Sequence, residues 1–132
     1  MKILIETIPH KKHRYETCGD WFIDKKGTLV IRVSEEMGPA SCGLVAIHEL
    51  AEVFQCFDGF RMSKKHMKRI VKLVDKFDKH YKGDLVDEEP GDDPRAPYHK
   101  EHSIATAIER ILCAAVGMAW KDHDGRVADL FE

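Results

Sequence analysis

Three ionisable side chains, His48, Glu49 and Glu52, interrupt an otherwise apolar run between Ser41 and Phe57. Wound as a helix at about 100° per residue, His48 and Glu52 lie about 40° apart on one face. Glu49 sits about a quarter-turn away, with Ile47, Leu50, Ala51, Phe54 and Phe57 on the opposite side. The helix reads as central and largely buried. No Lys or Arg stands between Arg32 and Arg61, so these carboxylates lack a local cation to offset their desolvation. They require a metal, a proton or a distant base. A second helical stretch carries His102 and Glu109 on one stripe, beside Thr106 and Cys113, flanking an apolar arc of Ala105, Ile108, Leu112, Ala115 and Val116. Two helices that each present a His and a Glu are how a metal site is built from helices, with neutral imidazoles held by outer partners. Glu49 is then left as a general base acting on water activated by the metal. The competing reading is a buried His/Glu hydrogen-bond network between the helices, joined by Arg110 or Arg69.

These residues need elements to position them. Residues 2–8 are rich in β-branched types, and Trp21 to Asp24, Lys25-Lys26-Gly27 and Thr28 to Val33 read as a hairpin. The N-terminal third is therefore expected to be a small antiparallel sheet, with His10 to Arg14 an exposed basic loop. Gly38-Pro39 breaks the strand pattern and Ser41 is expected to cap the central helix. Asp58-Gly59 ends it. Ser63 caps a second helix to about His80, with Met67, Ile70, Val71, Val74, Phe77 and Tyr81 as its apolar stripe. The acidic, Pro-containing stretch from Gly83 to Pro97 reads as a long loop that could fold over the basic second helix or bind a cation. A third helix runs from about Tyr98 to Trp120, and the last twelve residues read as a turn and a short closing segment. The expected class is α+β, a small antiparallel N-terminal sheet packed on three helices in one domain spanning 1–132.

Composition narrows the functions. The net charge of −2 excludes a globally basic nucleic-acid binder. The face from Lys64 to Lys82 is nevertheless basic enough to lie along nucleic acid, although no aromatics interleave with its charges and a solvated face is favoured. Cys18, Cys42, Cys56 and Cys113 form no Cys-x-x-Cys pair, and Cys42 and Cys56 would lie about 20 Å apart on one helix, so no disulfide framework is expected. With no signal-like start and no long apolar run, the expected location is cytoplasmic. No glutamate has a histidine three residues later, which removes a ferritin-like di-iron site. No Gly-x-Ser-x-Gly elbow or phosphate loop occurs.

A strand over Thr28 to Val33, a turn, and Val45-Ala46-Ile47-His48-Glu49-Leu50-Ala51-Glu52 together resemble the strand and His-Glu helix of zincin-like metallopeptidases. Over nearly its full length the chain also resembles small uncharacterised phage and prophage proteins. That likeness rests on the His-Glu-x-x-Glu helix, Val74 to Asp78, the acidic loop, Pro97 to His102 and Ile108-Glu109-Arg110, and it would place the chain in a host cytoplasm. The zincin resemblance implies His48 as first ligand, Glu49 as general base, Glu52 at the second ligand position and His102 or Glu109 closing the site. Where that pattern has a second histidine this chain has Glu52, which widens the metal from zinc to manganese or iron.

Two functions of different class follow. The first is a divalent-metal protein, zinc first, acting as a hydrolase of a peptide or amide bond through Glu49. The second is a non-catalytic accessory or interaction protein in which the same residues form a structural metal site or polar network. The substrate or protein partner is not identified by the sequence.

Overall fold

The structure is a computed structural model that describes residues 1–81 and 89–132. Three strands, β1 (Ile3–Ile8), β2 (Gly19–Ile23) and β3 (Leu29–Ser34), are followed by four helices: α1 (Pro39–Cys56), α2 (Lys64–Lys79), α3 (His99–Ala115) and α4 (Trp120–Asp129). Short 3-10 turns lie at His10–Lys12, Glu35–Met37 and Pro90–Asp92. The class is α+β. Among the described residues no single helix is long and apolar enough to cross a membrane.

The sheet is mixed, which corrects the antiparallel expectation. β2 and β3 form the expected antiparallel hairpin, but β1 joins the far side of β3 and runs parallel to it, in the order β1-β3-β2. Strand composition does not say which edge of a hairpin the next strand takes, and here the connection after β1 decides it. Rather than forming a free basic loop, that connection is tied down. His10 Nδ1 and His13 Nε2 both meet Ser34 Oγ at the end of β3, at 2.8 and 3.0 Å. Arg14 forks between Asp20 and Asp75.

Among the described residues there are four α-helices, not three, because the long C-terminal helix is broken. After α3, Gly117 takes φ of 73°, a left-handed conformation that glycine adopts without steric cost. Its N–H and that of Met118 turn back onto the Ala114 and Cys113 carbonyls. The chain bends by 119° into α4, where a short closing segment was expected. α1 also starts three residues early. Gly38 is its N-cap and Pro39 fills the first turn, where its missing N–H costs nothing, so Ser41 is free for another contact. Ser63 caps α2 as expected, accepting from the His66 N–H.

The core lies between the sheet and α1, where Leu29, Ile31, Val33, Val53 and Phe57 are fully buried. Trp21 packs edge-on to Phe57 with centroids 5.6 Å apart. Met67 and Val74 of α2 complete it, with Ile70, Val71 and Phe77 against them. α1 is central and its ionisable residues are buried as expected, but its opposite side is not closed over throughout. On that side Ile47 and Phe54 are 40 and 49% exposed, whereas His48, Glu49 and Glu52 are buried. The acidic stretch departs too. Lys82, Asp84, Asp87 and Glu88 lie outside the described residues, while Glu89 and Asp92 turn toward α3 rather than covering α2.

One half-buried carboxylate of α2 makes folding pH-dependent. Asp78 accepts from the Tyr98 and Tyr15 hydroxyls. Burial pushes its carboxyl up to about 7, against the opposing pull of the two tyrosine hydrogen bonds. Below about pH 4 it is protonated whether the chain is folded or not. As pH rises to about 7 the unfolded chain ionises first, so stability falls through that window and the loss is complete above it. Urea denaturation across this range is expected to show a decline on the order of 2 kcal/mol from this group, which Asp78→Asn flattens.

Candidate metal centre

The ionisable residues of α1 and α3 meet in the seam between the two helices. His48 and Glu52 occupy successive turns of α1, and His102, from the first half of α3, faces both. His48 Nε2 lies 3.3 Å from Glu52 Oε2, His102 Nδ1 lies 3.0 Å from the same oxygen, and the two ring nitrogens are 3.2 Å apart. All three side chains are buried. Three donor atoms converge on one point, and His48, Glu52 and His102 could hold a metal ion.

What surrounds these atoms orients them. His48 turns its other nitrogen, Nδ1, to Glu109 Oε1 at 2.8 Å. That contact is off the line of a hydrogen bond, which leaves Nδ1 without one among the described residues. His102 turns Nε2 to Asp92 Oδ1 at 3.1 Å and to Glu89 Oε2 at 3.3 Å. The remaining Glu52 oxygen, Oε1, accepts from the Trp21 indole N–H at 2.9 Å. With His102 Nε2 hydrogen-bonded to Asp92 and His48 Nδ1 facing Glu109, neutral rings aim the lone pairs of His48 Nε2 and His102 Nδ1 at Glu52 Oε2. This carboxylate–histidine arrangement fixes the tautomer of a metal-binding imidazole. Tetrahedral donors with bonds of about 2.0 Å sit about 3.3 Å apart, so the spacing of the observed triangle is that of three ligands to one ion.

Without a metal, protons carry the balance. Burial pulls both imidazoles down, but facing carboxylates outweigh it. Glu109 and Glu52 hold His48 up to about 11, and Asp92 and Glu52 hold His102 up to about 10. Burial raises Glu52, yet the two histidines bring it down to about 2. Among the described residues no Lys or Arg forms an ion pair with Glu49, Glu52 or Glu109, so Arg69 and Arg110 do not join the network. Arg110 instead lies over the Trp120 ring.

The other two predicted site residues sit apart from the triangle. Glu109 reaches His48 from the far side of its ring and, through Oε2, meets His123 Nε2 of α4. Among the described residues Glu49 makes no hydrogen bond or ion pair, and its carboxylate lies against Gly19 of β2. Burial, and then Glu52, push the Glu49 carboxyl well above the usual range, while His48 pulls it down.

Sequence reasoning missed four members of this network. His123 is almost fully buried and spans from Glu109 to Ser41, whose hydroxyl lies 2.9 Å from His123 Nδ1. Its position depends on the reversal at Gly117, which helical periodicity alone does not reveal. Asp92 and Glu89 come from the Pro90–Asp92 turn, held over the His102 ring by Gly91, where an added Cβ would fall 2.4 Å from the ring. Trp21 enters from β2. A Pro-Gly-Asp turn or a strand tryptophan carries no chemical signal on its own, and the acidic character of the loop suggested a cation or the basic helix rather than His102 as its partner.

His123→Ala leaves the Ser41 hydroxyl and one Glu109 oxygen unpaired in the interior, and is expected to cost about 1–3 kcal/mol of stability in urea denaturation. Ser41→Ala removes only a neutral partner and should cost less, about 1 kcal/mol.

No protein-family model matches this chain, and no curated protein or solved structure was found to match it.

Proposed function

We propose that this chain is a divalent-metal-binding protein in which His48 Nε2, Glu52 Oε2 and His102 Nδ1 hold one ion, with zinc the first choice and manganese or iron the alternatives. The observation that carries this reading is the convergence of three donor atoms within 3.0–3.3 Å of one another while each outer imidazole nitrogen faces a carboxylate. Two imidazoles and one carboxylate are a donor set of catalytic zinc, and the same set suits iron. Glu52 keeps its place despite standing where a zincin-like helix would carry histidine, because a carboxylate coordinates as well.

The more specific proposal is a metal-dependent hydrolase of a peptide or amide bond with a zincin-like arrangement. When bound, the ion supplies Lewis-acid polarisation of a carbonyl and of water. Three protein ligands leave a coordination position for them. Glu49 is the residue of this chain that would take up and return the proton, and it must be ionised to do so. A cation beside His48 offsets the burial that otherwise keeps the proton on it. Glu109 and His123 hold the His48 ring, while Asp92 and Gly91 hold that of His102.

The second reading is the non-catalytic one, a purely protonic network in an accessory protein. It draws support from the way both histidines are raised by facing carboxylates, which balances the charge without a metal.

Metal analysis of the purified chain, followed by calorimetric zinc titration after chelation, separates the two. One ion per chain is expected, with loss of binding in His48→Ala, Glu52→Ala and His102→Ala and retention in Glu49→Gln. Saturating zinc at a hundredfold over its Kd should stabilise the fold by about 2.7 kcal/mol. A chain that carries no metal and binds none on titration overturns the proposal in favour of the protonic network. Glu49→Gln with full metal and no loss of amide hydrolysis would sink the hydrolase reading alone.

A further inference from the structure

β1 is the most exposed regular element of the sheet, although its sequence is apolar. Ile3, Leu4 and Ile5 are 41, 41 and 49% exposed. Ile3 and Ile5 pair with Leu29 and Ile31 of β3 and share their face of the sheet. Those β3 neighbours are fully buried, so the helix layer covers β3 and stops short of β1.

The strand's backbone is unpaired on one side. β1 is bonded to β3 alone and forms the edge of the sheet among the described residues. The Leu29 N–H donates to the Lys2 carbonyl, so Lys2, Leu4, Glu6 and Ile8 direct their amides toward β3. The amides of Ile3, Ile5 and Thr7 therefore point outward. An uncovered edge with apolar side chains is a template for another strand, and proteins that remain monomeric usually blunt it.

The side chains choose the occupant. Lys2-Ile3-Leu4-Ile5-Glu6 is complementary to itself when read backwards. We propose that β1 is a dimerisation strand: two copies of this chain join their β1 edges antiparallel about Leu4, making one continuous six-stranded sheet. In that register Lys2 meets the partner's Glu6, Leu4 meets the partner's Leu4, and Ile3 meets the partner's Ile5. The two Ile3–Ile5 pairs are those whose amides point outward, so they form the hydrogen-bonded pairs of the new ladder while Leu4 sits at the non-bonded position. Of the neighbouring registers that also match the outward amides, the one centred on Ile5 sets Glu6 against the partner's Leu4 and leaves Lys2 without a charged neighbour, the one centred on Glu6 sets two glutamates face to face, and the one centred on Ile3 sets Lys2 against the partner's Leu4. Charge therefore selects the Leu4 register. Glu6 already holds Arg32 at 2.9 Å on the half-exposed face of the sheet, and the partner's Lys2 extends that pair into a three-charge row. This assembly does not depend on the metal centre.

Sedimentation equilibrium of the full chain from micromolar to millimolar concentration tests it. A dimer is expected for the wild type. Ile5→Lys, which places a charge in the ladder, and Lys2→Glu, which opposes two glutamates, should each weaken it at least about tenfold. Glu6→Lys should do the same, and an equimolar mixture of Lys2→Glu with Glu6→Lys should form the heterodimer that neither forms alone. Glu6→Lys also removes the Arg32 partner, so its folding is checked by thermal melting. If it does not fold, Lys2→Glu and Ile5→Lys decide the matter. A wild type that stays monomeric throughout overturns the proposal, as does a dimer that Ile5→Lys and Lys2→Glu leave unchanged.

Discussion

Buried carboxylates without a basic residue beside them are the constraint on which this molecule turns. Glu52 and Glu109 lie in the seam of α1 and α3, and the groups that answer their charge are imidazoles. Most helix pairs meet through an apolar stripe. Here the two helices meet through a polar one, and the aliphatic residues Ile47 and Ile104 are left 40 and 41% exposed. An interior of this kind is stable only while its charges balance. Removing one partner strands the others, which is why the segments around the seam each contribute a contact to it. β2 supplies Trp21, the Pro90–Asp92 turn supplies Asp92, and α4 supplies His123.

The chemistry was legible because helical spacing is a strong code. His48 and Glu52 at four residues apart, and His102 and Glu109 at seven, announce two ionisable stripes, and the absence of Lys and Arg around the first shows that its charges must be answered from elsewhere. The apolar stripe of α2 and its Ser63 cap were legible for the same reason. Spacing does not carry depth, however. Nothing in the run 41–57 says that Phe54 faces water while Glu49 does not; that depends on which side the sheet takes. Direction was equally hidden: β1 has the composition of a strand in either orientation, and the contacts of His10 and His13 with Ser34 lie far apart in the chain. The fourth helix was obscured by Gly117, which reads as tolerable within a helix until its left-handed φ is seen.

The polar chain that begins at Ser41 therefore has an unusual extent for so small a protein. It passes from the N-terminal turn of α1 through His123 and Glu109 to His48, and then by way of Glu52 and His102 to the Pro90–Asp92 turn. It couples elements that share little apolar contact. A disturbance at one end, such as loss of the α4 docking, reaches the donor atoms through the orientation of a single imidazole ring.

The chain's two tryptophans touch this chain of contacts at two separate points. The Trp21 indole donates to Glu52, and the Trp120 ring lies 5.2 Å from that of His123. Indole emission responds to the charge and polarity of its immediate neighbours, so the protein carries its own optical reporters. Trp21 registers what happens to the Glu52 carboxylate, and Trp120 registers whether α4 remains seated. With either indole replaced by phenylalanine, the emission of the other thus follows separately a change at the donor atoms or a loosening of the helix that supports them, with no label attached.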